Sequence, residues 1–376
     1  MAKITAVDTF AVRLPMKQMF RIAGGVVGSR SEGAPHVYVR LTDADGGIGW
    51  GEARPSPRWS DETQESVVTT LRRYVAPVLL GQEANDLRSL WGAIHREIAS
   101  GPTLGQPIAK AAVDTALHDL LGRQRRVSIG ELWGGSRARQ VHMSYLISTQ
   151  EPDVAAAKAR DAVAQGYRGV DVKIGLDPDR DQELLEAVRA EAPSLFFRVD
   201  ANQGYNLPQA LQVARHLARL GADVFEQPLP AACLADTAAL RRKVQVPIAL
   251  DEGIWSARDL LEAIRLEACD YAVIKLTKMG GLQPARLCGE IAKEANLGLL
   301  GGGLTESRLG LAASAHLFDY LEIRSPVDLN GPFFLADDPI RYGPDIQAGV
   351  VTLGDHPGVG CEMDQEKLKT FTVQEA

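Results

Sequence analysis

The sequence VDVK at residues 170–173 is the first of five short apolar runs that each end in a charged residue. The others are FFRVD (196–200), VFE (224–226), IALD (248–251) and AVIK (272–275). Their last residues follow one another at intervals of 27, 26, 25 and 24 residues. An interval of about 25 residues fits one strand, one turn and one helix. The runs therefore predict a β/α array in which each strand ends in a charged side chain.

In a parallel barrel, the carboxyl ends of the strands face one common pocket, where active sites lie. The five terminal residues would converge there: Lys173, Asp200, Glu226, Asp251 and Lys275. Strand alternation also places Asp171 on the same face as Lys173. Any one of these residues alone could be a rim charge in a salt bridge. Five that end consecutive strands in step are better explained by a shared site.

The rest of the chain completes this architecture. Strand alternation covers residues 3–14, 36–42 and 48–52, and helical periodicity covers 61–79, 86–99 and 107–122. After Val141, strands and helices alternate, with a first strand near 141–148, a seventh near 297–301 and an eighth near 320–324. We therefore predict a TIM-type (β/α)8 barrel with an α+β amino-terminal capping domain. The predicted parts are a capping domain (1–130), a barrel (131–325) and a segment that returns to the capping domain (326–376).

The stretch from Met16 to Gly33 combines apolar residues with three glycines besides Gly33 itself. Two interpretations stay open for it. It could be a surface loop, or a mobile lid whose apolar side chains, such as Met19, Phe20 and Ile22, touch the substrate.

Composition and charge exclude several classes of protein. The net charge of −7 and the lack of a basic run argue against nucleic-acid binding. The four cysteines are far apart and form no CxxC pair, so a disulfide framework and structural zinc are not expected. No signal peptide or membrane-length apolar run is visible. We therefore expect a cytoplasmic protein with no membrane partner.

The charged residues predict a chemistry. Three carboxylates without a neighbouring histidine or cysteine suit a hard cation, with Mg²⁺ favoured and Mn²⁺ second. Such an ion can stabilise the charge that forms when a proton leaves a carbon next to a carboxylate. A lysine that removes this proton needs its pKa lowered from about 10.4 to about 7–8. The partner would be a small substrate that bears a carboxylate.

Several segments together resemble the enolase superfamily, and more narrowly its mandelate racemase/muconate lactonizing enzyme family and the muconate cycloisomerase subgroup. They are VDVKIG (170–175), VDANQGY (199–205), FEQPLP (225–230), LDE (250–252), IKLTKMGG (274–281) and HPGVGCEMD (356–364). WGEA (50–53) and AVDTALHDLLG (112–122) resemble the family's amino-terminal domain. The family's barrel has a modified, (β/α)7β-like form, and its members use a lysine or histidine base with Mg²⁺.

This resemblance implies roles for individual residues. Asp200, Glu226 and Asp251 would hold Mg²⁺, and Lys173 and Lys275 would be the acid/base pair on opposite faces of the substrate. We assign Lys275 rather than Lys278, because Lys275 ends the strand and Lys278 lies in the following turn. Asn202 and Gln203 would support the metal ligands, although loop polarity explains them as well, and Asn202 is also a substrate-contact candidate.

Two positions depart from the subgroup. Where it usually has KxK, this chain has Asp171 before Lys173, and a carboxylate so close would raise the lysine pKa by about two units. Asp171 is either paired elsewhere, with Arg198 as a candidate, or recognises a cationic group on the substrate; the second is our hypothesis. At the end of the eighth strand, Asp328 and Asn330 match neither the epimerase nor the cycloisomerase pattern fully. Both are substrate-contact candidates, as is Glu306 by family position.

The resemblance implies a Mg²⁺-dependent isomerase that works through an enolate, in the manner of muconate cycloisomerase. A racemase or epimerase of N-acyl amino acids, dipeptides or proline-type substrates is the alternative, and a lyase could use the same enolate. A barrel that binds a metal or an acid without catalysis, and a phosphate-binding barrel enzyme, are further alternatives. A homo-oligomer is expected from the resemblance alone.

Overall fold

The computed structural model describes residues 2–101, 104–135 and 140–373. Its amino-terminal part has five strands: β1 (Ile4–Leu14), β2 (Phe20–Ile22), β3 (Gly25–Gly28), β4 (Ala34–Asp43) and β5 (Ile48–Ala53). Its helices are α1 (Gln64–Thr69), α2 (Ala76–Leu79), α3 (Leu87–Glu97), α4 (Pro107–Arg125) and α5 (Ile129–Leu132), with a π-helical turn at Thr70–Val75 between α1 and α2. An antiparallel sheet in the order β1-β4-β5 carries these helices, which confirms the predicted α+β capping domain.

Glycines let the central helix of this domain lie directly on its sheet. A β-carbon on Gly51 would come within 1.8 Å of the carbonyl oxygen of Ala112, and one on Gly49 within 2.2 Å of that of Ala116. The alternating glycines of β5 thus form a smooth face for α4. Nearly every residue of α4 is buried as a result.

Two short strands follow, β6 (Gln140–His142) and β7 (Tyr145–Ile147), and β7 is the first strand of the barrel sheet. The barrel continues with α6 (Pro152–Ala164), β8 (Gly169–Lys173), α7 (Pro178–Glu191), β9 (Phe196–Asp200), α8 (Leu207–Leu220), β10 (Val224–Glu226) and α9 (Leu234–Arg241). It ends with β11 (Ile248–Leu250), α10 (Ala257–Arg265), β12 (Tyr271–Ile274), α11 (Leu276–Met279), α12 (Leu282–Glu294), β13 (Gly298–Gly301) and α13 (Arg308–Tyr320). The strands from β7 to β13 pair in chain order as one parallel sheet, in agreement with the predicted TIM-type barrel.

Local sequence signals set the ends of the helices. Helix α8, for example, begins at Asn206, whose side chain accepts a hydrogen bond from the Gln209 amide while the Gln209 side chain caps Asn206 in return. It ends at Gly221, which takes the left-handed conformation with φ 64°. The side chains of Asp177, Ser256 and Ser307 likewise accept backbone amides at the starts of α7, α10 and α13.

The predicted eighth strand near residues 320–324 is wrong. Tyr320 is the last residue of α13, and the Ile323 amide donates back to the Phe318 carbonyl to close the helix end. The apolar alternation there reflects packing of a helix terminus. The barrel closes instead through Val327 and Asp328, which form parallel bridges with Met143 and Gly302, respectively.

The predicted first strand near 141–148 is also divided in two. β6 pairs antiparallel with β16 (Val350–Thr352) of the carboxyl-terminal segment, whereas β7 pairs parallel with β8. Between them, Ser144 donates from its amide to the Val327 carbonyl at 2.9 Å, so the chain turns into the barrel at this residue.

After the closing strand, the chain forms α14 (Gly331–Phe334), β14 (Ile340–Tyr342), β15 (Asp345–Gln347), β16, β17 (Glu362–Met363) and α15 (Gln365–Phe371). Thr372 then bridges to Val12 of β1, and the Val373 amide donates to the Ala11 carbonyl. The proposed domain limits at residues 130 and 325 stay a prediction. Among the described residues, no helix combines the length and the apolar character needed to cross a bilayer.

Candidate active site

The barrel register brings the predicted charged residues together. Lys173 pairs laterally with Asp200, and Asp200 with Glu226, at the ends of β8, β9 and β10. Asp251 directly follows β11, and Lys275 directly follows β12. All five side chains are buried. The two lysines therefore stand on strands that are separated by the three carboxylate-bearing strands.

Lys173 is surrounded by carboxylates. Its Nζ lies 2.8 Å from Asp200 Oδ2, 3.1 Å from Asp171 Oδ2 and 3.3 Å from Asp328 Oδ2. Burial alone would lower the pKa of Lys173, but the charges of Asp171, Asp200 and Asp328 raise it well above the ordinary value. Lys173 is thus held in its charged form while these acids face it.

Asp171 is completely buried and does not line the cavity described below. Arg198 Nε is 3.8 Å from Asp171 Oδ2 but only 2.5 Å from Glu226 Oε2, so Arg198 binds Glu226 in preference. Burial raises the pKa of Asp171 to about 6, against the opposing charges of Lys173 and Arg198. The closest cationic partner of Asp171 is therefore Lys173 itself.

Asp251 holds two lysines. Lys275 Nζ is 2.5 Å from Asp251 Oδ2, and Lys278 Nζ is 2.8 Å from Asp251 Oδ1. Burial would raise the pKa of Asp251, but the charges of Lys275 and Lys278 lower it. Lys278 also donates to the Asp251 carbonyl and is fully buried, whereas Lys275 lines the cavity. This placement is consistent with the choice of Lys275 over Lys278.

Two residues that the sequence did not single out complete the group. Glu252 follows Asp251 and is buried, and its Oε1 accepts hydrogen bonds from Trp59 Nε1 at 3.0 Å and Asn202 Nδ2 at 3.2 Å. Burial raises the pKa of Glu252 to about 8, helped by the charges of Asp251 and Asp200. The LDE motif contained this residue, but nothing in its spacing marked it as inward-facing.

Trp59 belongs to the capping domain, and its ring centre lies 4.8 Å from Lys275 Nζ. Its ring also packs on Trp255 at 5.2 Å. No periodic pattern in the sequence links residue 59 to the barrel, because the contact depends on how the two domains dock. Trp59 is therefore a functional candidate that only the structure reveals.

Left-handed backbone conformations cluster at these strand ends. Asn202, Gln203 and Gln227 have φ values of 40°, 69° and 36°, which non-glycine residues adopt rarely and at a cost. Gln227 Oε1 accepts the amides of Asp251 and Gly253, so it fixes the loop that carries Asp251. Such strain at functional sites is held in place by surrounding hydrogen bonds.

The lysines face a common chamber, which we define by the side chains around it. Its polar wall contains Lys173, Lys275, Asn202, Asp328 and Asn330, and its roof contains Phe20, Ile22 and Val27 from the β2–β3 hairpin. The Met16–Gly33 segment thus lies over the site, as the lid interpretation requires, although Met19 is exposed. Glu306 is buried outside the chamber, where it accepts Thr277 Oγ1 at 2.7 Å and the Leu304 amide at 2.6 Å.

The donor set suits a divalent cation. Asp200, Glu226 and Asp251 offer only oxygen ligands, and Glu226 Oε1 is buried without a hydrogen-bond partner. Burial and the neighbouring acids raise the pKa of Glu226 to about 7, against the charge of Arg198. In the described residues, no three acidic, histidine or cysteine side chains are arranged as a ready ion-binding group. Lys173, Arg198 and Lys275 instead neutralise the three acids.

Comparison with known proteins agrees with this geometry. Residues 4–134 match the family "Mandelate racemase / muconate lactonizing enzyme, N-terminal domain", and residues 154–367 match "Enolase C-terminal domain-like". The chain is 31% identical over 373 residues to N-succinyl-L-Arg/Lys racemase of Bacillus cereus, covering 99% of this chain and 98% of the relative. It is also 31% identical over 380 residues to muconate cycloisomerase 1 of Rhodococcus opacus, covering 98% of each.

Solved structures show the same likeness. The crystal structure of the Bacillus cereus racemase superimposes with a TM-score of 0.93 at 30% identity, over 99% of this chain and 98% of that one. A dipeptide epimerase from Cytophaga hutchinsonii, complexed with Mg and D-Ala-L-Val, gives 0.91 at 27% identity over 98% of both. The resemblance found in the sequence is confirmed: the chain is an enzyme of the mandelate racemase/muconate lactonizing enzyme family within the enolase superfamily.

Proposed function

We propose that the chain is a Mg²⁺-dependent isomerase that removes and returns the proton on the carbon next to a substrate carboxylate. The observation that carries this proposal is that Lys173 and Lys275 line one chamber, from the ends of β8 and β12 on either side of the three carboxylate-bearing strands. Two amines at one carbon allow deprotonation by one and reprotonation by the other. Mn²⁺ is the second choice of ion, a homo-oligomer is the proposed assembly, and the cytoplasm is the proposed location.

Asp200, Glu226 and Asp251 would hold the ion. A bound divalent cation would supply the positive charge that stabilises the enolate oxygens. For a lysine to act as a base, the carboxylates that now face it must turn to another cation, because their charges keep its pKa high. Lys278 and Gln227 keep Asp251 and its loop in position during this exchange of partners.

The charge of the site favours racemisation or epimerisation of an N-substituted amino acid. In the described residues, the hydrogen-bonded cluster contains six acids and four cations. The acids are Asp171, Asp200, Glu226, Asp251, Glu252 and Asp328, and the cations are Lys173, Arg198, Lys275 and Lys278. Because burial raises the pKa of Glu252 to about 8, Glu252 keeps its proton near neutral pH and the excess is one negative charge, so a divalent ion would leave one net positive charge for one substrate carboxylate. An amino acid with an amide nitrogen then brings one negative charge into the chamber, whereas a compact dicarboxylate brings two.

Cycloisomerisation of a muconate-type substrate is the second candidate. The likeness to muconate cycloisomerase 1 is as high in identity as the likeness to the racemase, at 31%. The same enolate and the same lysines would serve this reaction. The two functions differ in their products. A racemase or epimerase inverts the configuration at the carbon next to the carboxylate, whereas a cycloisomerase closes a ring.

Hydrogen exchange tests the proposal. The enzyme with Mg²⁺ in D₂O, given N-acyl amino acids, dipeptides, proline derivatives and muconates, should incorporate deuterium at the carbon next to the carboxylate, seen by ¹H NMR. The single variants Lys173→Ala and Lys275→Ala should each lower the exchange rate of one enantiomer by at least about 100-fold, which is within the range of general base catalysis. Exchange that persists in the double variant would refute the assignment of the bases.

A further inference from the structure

A buried carboxylate of α7 holds the loop that follows Lys173. Three successive backbone amides donate to Asp181 Oδ2, those of Gly175, Leu176 and Asp177, at 3.0, 3.2 and 3.2 Å. Asp181 lies in the first turns of α7, and its own amide donates to the Asp177 carbonyl at 2.8 Å. Because the helix fixes Asp181, the carboxylate in turn fixes the backbone that begins two residues after Lys173.

Tyr205 joins this loop to two others. Its buried hydroxyl donates to the same Asp181 Oδ2 at 2.6 Å. Burial and the charge of Asp181 raise the pKa of Tyr205 well above its ordinary value, so the hydroxyl stays a hydrogen-bond donor. The Tyr205 amide donates to the Pro228 carbonyl at 3.1 Å. Since Tyr205 follows β9 and Pro228 follows β10, this residue connects the loops after β8, β9 and β10.

The loops after β8 and β9 also touch backbone to backbone. A β-carbon on Gly204 would lie 2.2 Å from the Gly175 carbonyl oxygen, and one on Gly175 would lie 2.4 Å from that of Ala201. Gly175 has a φ of 110°, which residues with a side chain rarely adopt. Because no side chain separates the two loops, the position of the β8 end depends on these backbone contacts and on the hydrogen bond between Asp181 and Tyr205.

We propose that Asp181 and Tyr205 are positioning residues for Lys173, acting through the backbone that follows it. The proposal rests on the proposed function, which makes Lys173 one of the two bases. Asp200 binds the Lys173 ammonium at 2.8 Å and must release it before Lys173 can accept a proton. The backbone support from Asp181 and Tyr205 remains after this release, so it determines where the amine stands. Lys275 follows β12, beyond the three connected loops, and is positioned independently.

Exchange rates of the two enantiomers test this assignment. They are measured in D₂O at saturating Mg²⁺ with both enantiomers of N-acyl amino acids, and Lys173→Ala identifies the enantiomer that Lys173 serves. Tyr205→Phe should lower the rate for that enantiomer about tenfold, because a displacement of about 1 Å can cost about 100-fold. The rate for the other enantiomer should stay within about twofold. Asp181→Asn, which keeps an oxygen for the loop amides, should lose less than Asp181→Ala.

A double variant and a matched control separate positioning from a general loss of stability. Asp181→Ala combined with Tyr205→Phe should be no slower than Asp181→Ala alone, because the two residues act through one hydrogen bond. Tyr320→Phe removes another tyrosine hydroxyl that binds a carboxylate, that of Glu290 at 2.8 Å, between two outer helices. Both of its exchange rates should equal those of the wild type.

Equal losses for the two enantiomers, or no loss, in Tyr205→Phe and Asp181→Ala would overturn the assignment, and Tyr205→Phe alone decides it if Asp181→Ala does not fold. Crystal structures of these variants with Mg²⁺ give a readout that needs no substrate. Lys173 Nζ should move by about 1 Å from its wild-type position, and an unmoved amine would overturn the assignment as well. Wild-type enzyme without exchange, or rates that Lys173→Ala leaves unchanged, would count against the proposed function instead.

Discussion

Trp59 connects the capping domain to the chemistry of the barrel. Its ring lies 4.8 Å from Lys275 Nζ, and its indole nitrogen donates to Glu252 at 3.0 Å. A cation over an aromatic ring is stabilised by about 0.5–2 kcal/mol. Trp59 therefore holds one of the two amines in place, whereas among the described residues no aromatic ring lies against the Lys173 ammonium.

Trp59→Leu should slow exchange on the Lys275 side by about tenfold and leave the Lys173 side within about twofold, since only one amine loses its support. Exchange rates of the two enantiomers, assigned to sides with Lys275→Ala, provide the measurement. Trp59→Phe keeps a ring and should fall between the wild type and Trp59→Leu. An equal loss on both sides would indicate a general structural role instead.

The metal-ligand and base candidates could be predicted at the scale of single residues because each ends a buried strand. Lys173, Asp200 and Glu226 fall into lateral register in the barrel for the same reason. Glu252 and Trp59 could not be predicted, since their contacts depend on a turn and on the docking of two domains. Asp171 is unusual already in the sequence, but whether it pairs with Lys173 or with Arg198 depends on side-chain positions, which the sequence does not give.

The β2–β3 hairpin is the element that closes the chamber. Phe20 stacks on Phe334 at 4.3 Å between ring centres, and it lines the chamber together with Ile22. The hairpin has only two short strands, and such a pair is marginally stable alone. Its position over the site depends on a few apolar contacts of this kind.

Phe20→Ala should raise KM about tenfold and increase amide hydrogen exchange across residues 20–28, because the hairpin loses its main apolar contact. The global free energy of unfolding, from urea titration, should change by less than about 1 kcal/mol if the hairpin opens locally. Steady-state kinetics and exchange mass spectrometry are the measurements. Glu32→Ala, an exposed change in the same segment, should match the wild type. Unaltered exchange in Phe20→Ala would contradict this account of the lid.

Elements with a strong periodic apolar pattern could be predicted from the sequence. Elements that are defined only by their pairing with neighbouring strands could not. Helix α4 and the strands from β8 to β13 agree closely with their apolar patterns. The closing strand at Val327–Asp328 has only isolated bridges to its neighbours, so it carries no alternating pattern of its own. The helix end at Tyr320 imitated a strand because Leu321 and Ile323 pack at alternate positions.

On the scale of the whole molecule, Glu52 is a buried carboxylate that links the two domains. Glu52 of β5 accepts the Ser307 amide at 2.8 Å, the Ser307 hydroxyl at 2.6 Å and the Gly310 amide at 2.9 Å. His36 Nδ1 lies 2.6 Å from Glu52 Oε1, the oxygen that also accepts the Ser307 amide. Ser307 and Gly310 belong to the start of α13, so Glu52 fastens the capping sheet to a barrel helix.

Glu52→Ala should lower the free energy of unfolding by about 3–5 kcal/mol, because it leaves several buried donors without an acceptor. Urea unfolding followed by circular dichroism measures this loss. Glu52→Gln keeps the shape and part of the acceptor capacity, so its effect should be smaller. A loss below about 1 kcal/mol in Glu52→Ala would show that Glu52 contributes little to stability.

The buried His316 of α13 should make the protein sensitive to acid. Burial lowers its pKa to about 4, against a backbone hydrogen bond to Val359 and the charge of Glu131. The folded state therefore binds a proton at His316 less readily than the unfolded state does. Neutral His316 contributes its full share of the free energy of unfolding above about pH 6.5, and this contribution is lost as the pH falls toward 4. The loss should reach about 3 kcal/mol. In His316→Gln, the urea midpoint should depend less on pH between 6.5 and 4 than in the wild type. His356→Gln, which changes an exposed histidine, should keep the wild-type pH dependence. The same pH dependence in all three proteins would contradict the prediction.

The hydrogen bonds of Glu52 limit the positions at which this enzyme can be recombined with its homologues. A crossover between residues 52 and 307 separates the acceptor from its donors, although more than 250 positions lie between them. Hybrids that inherit Glu52 from one parent and an incompatible start of α13 from the other would bury the Glu52 carboxylate without its hydrogen-bond donors. In a shuffled library, soluble survivors should therefore inherit these two segments from the same parent.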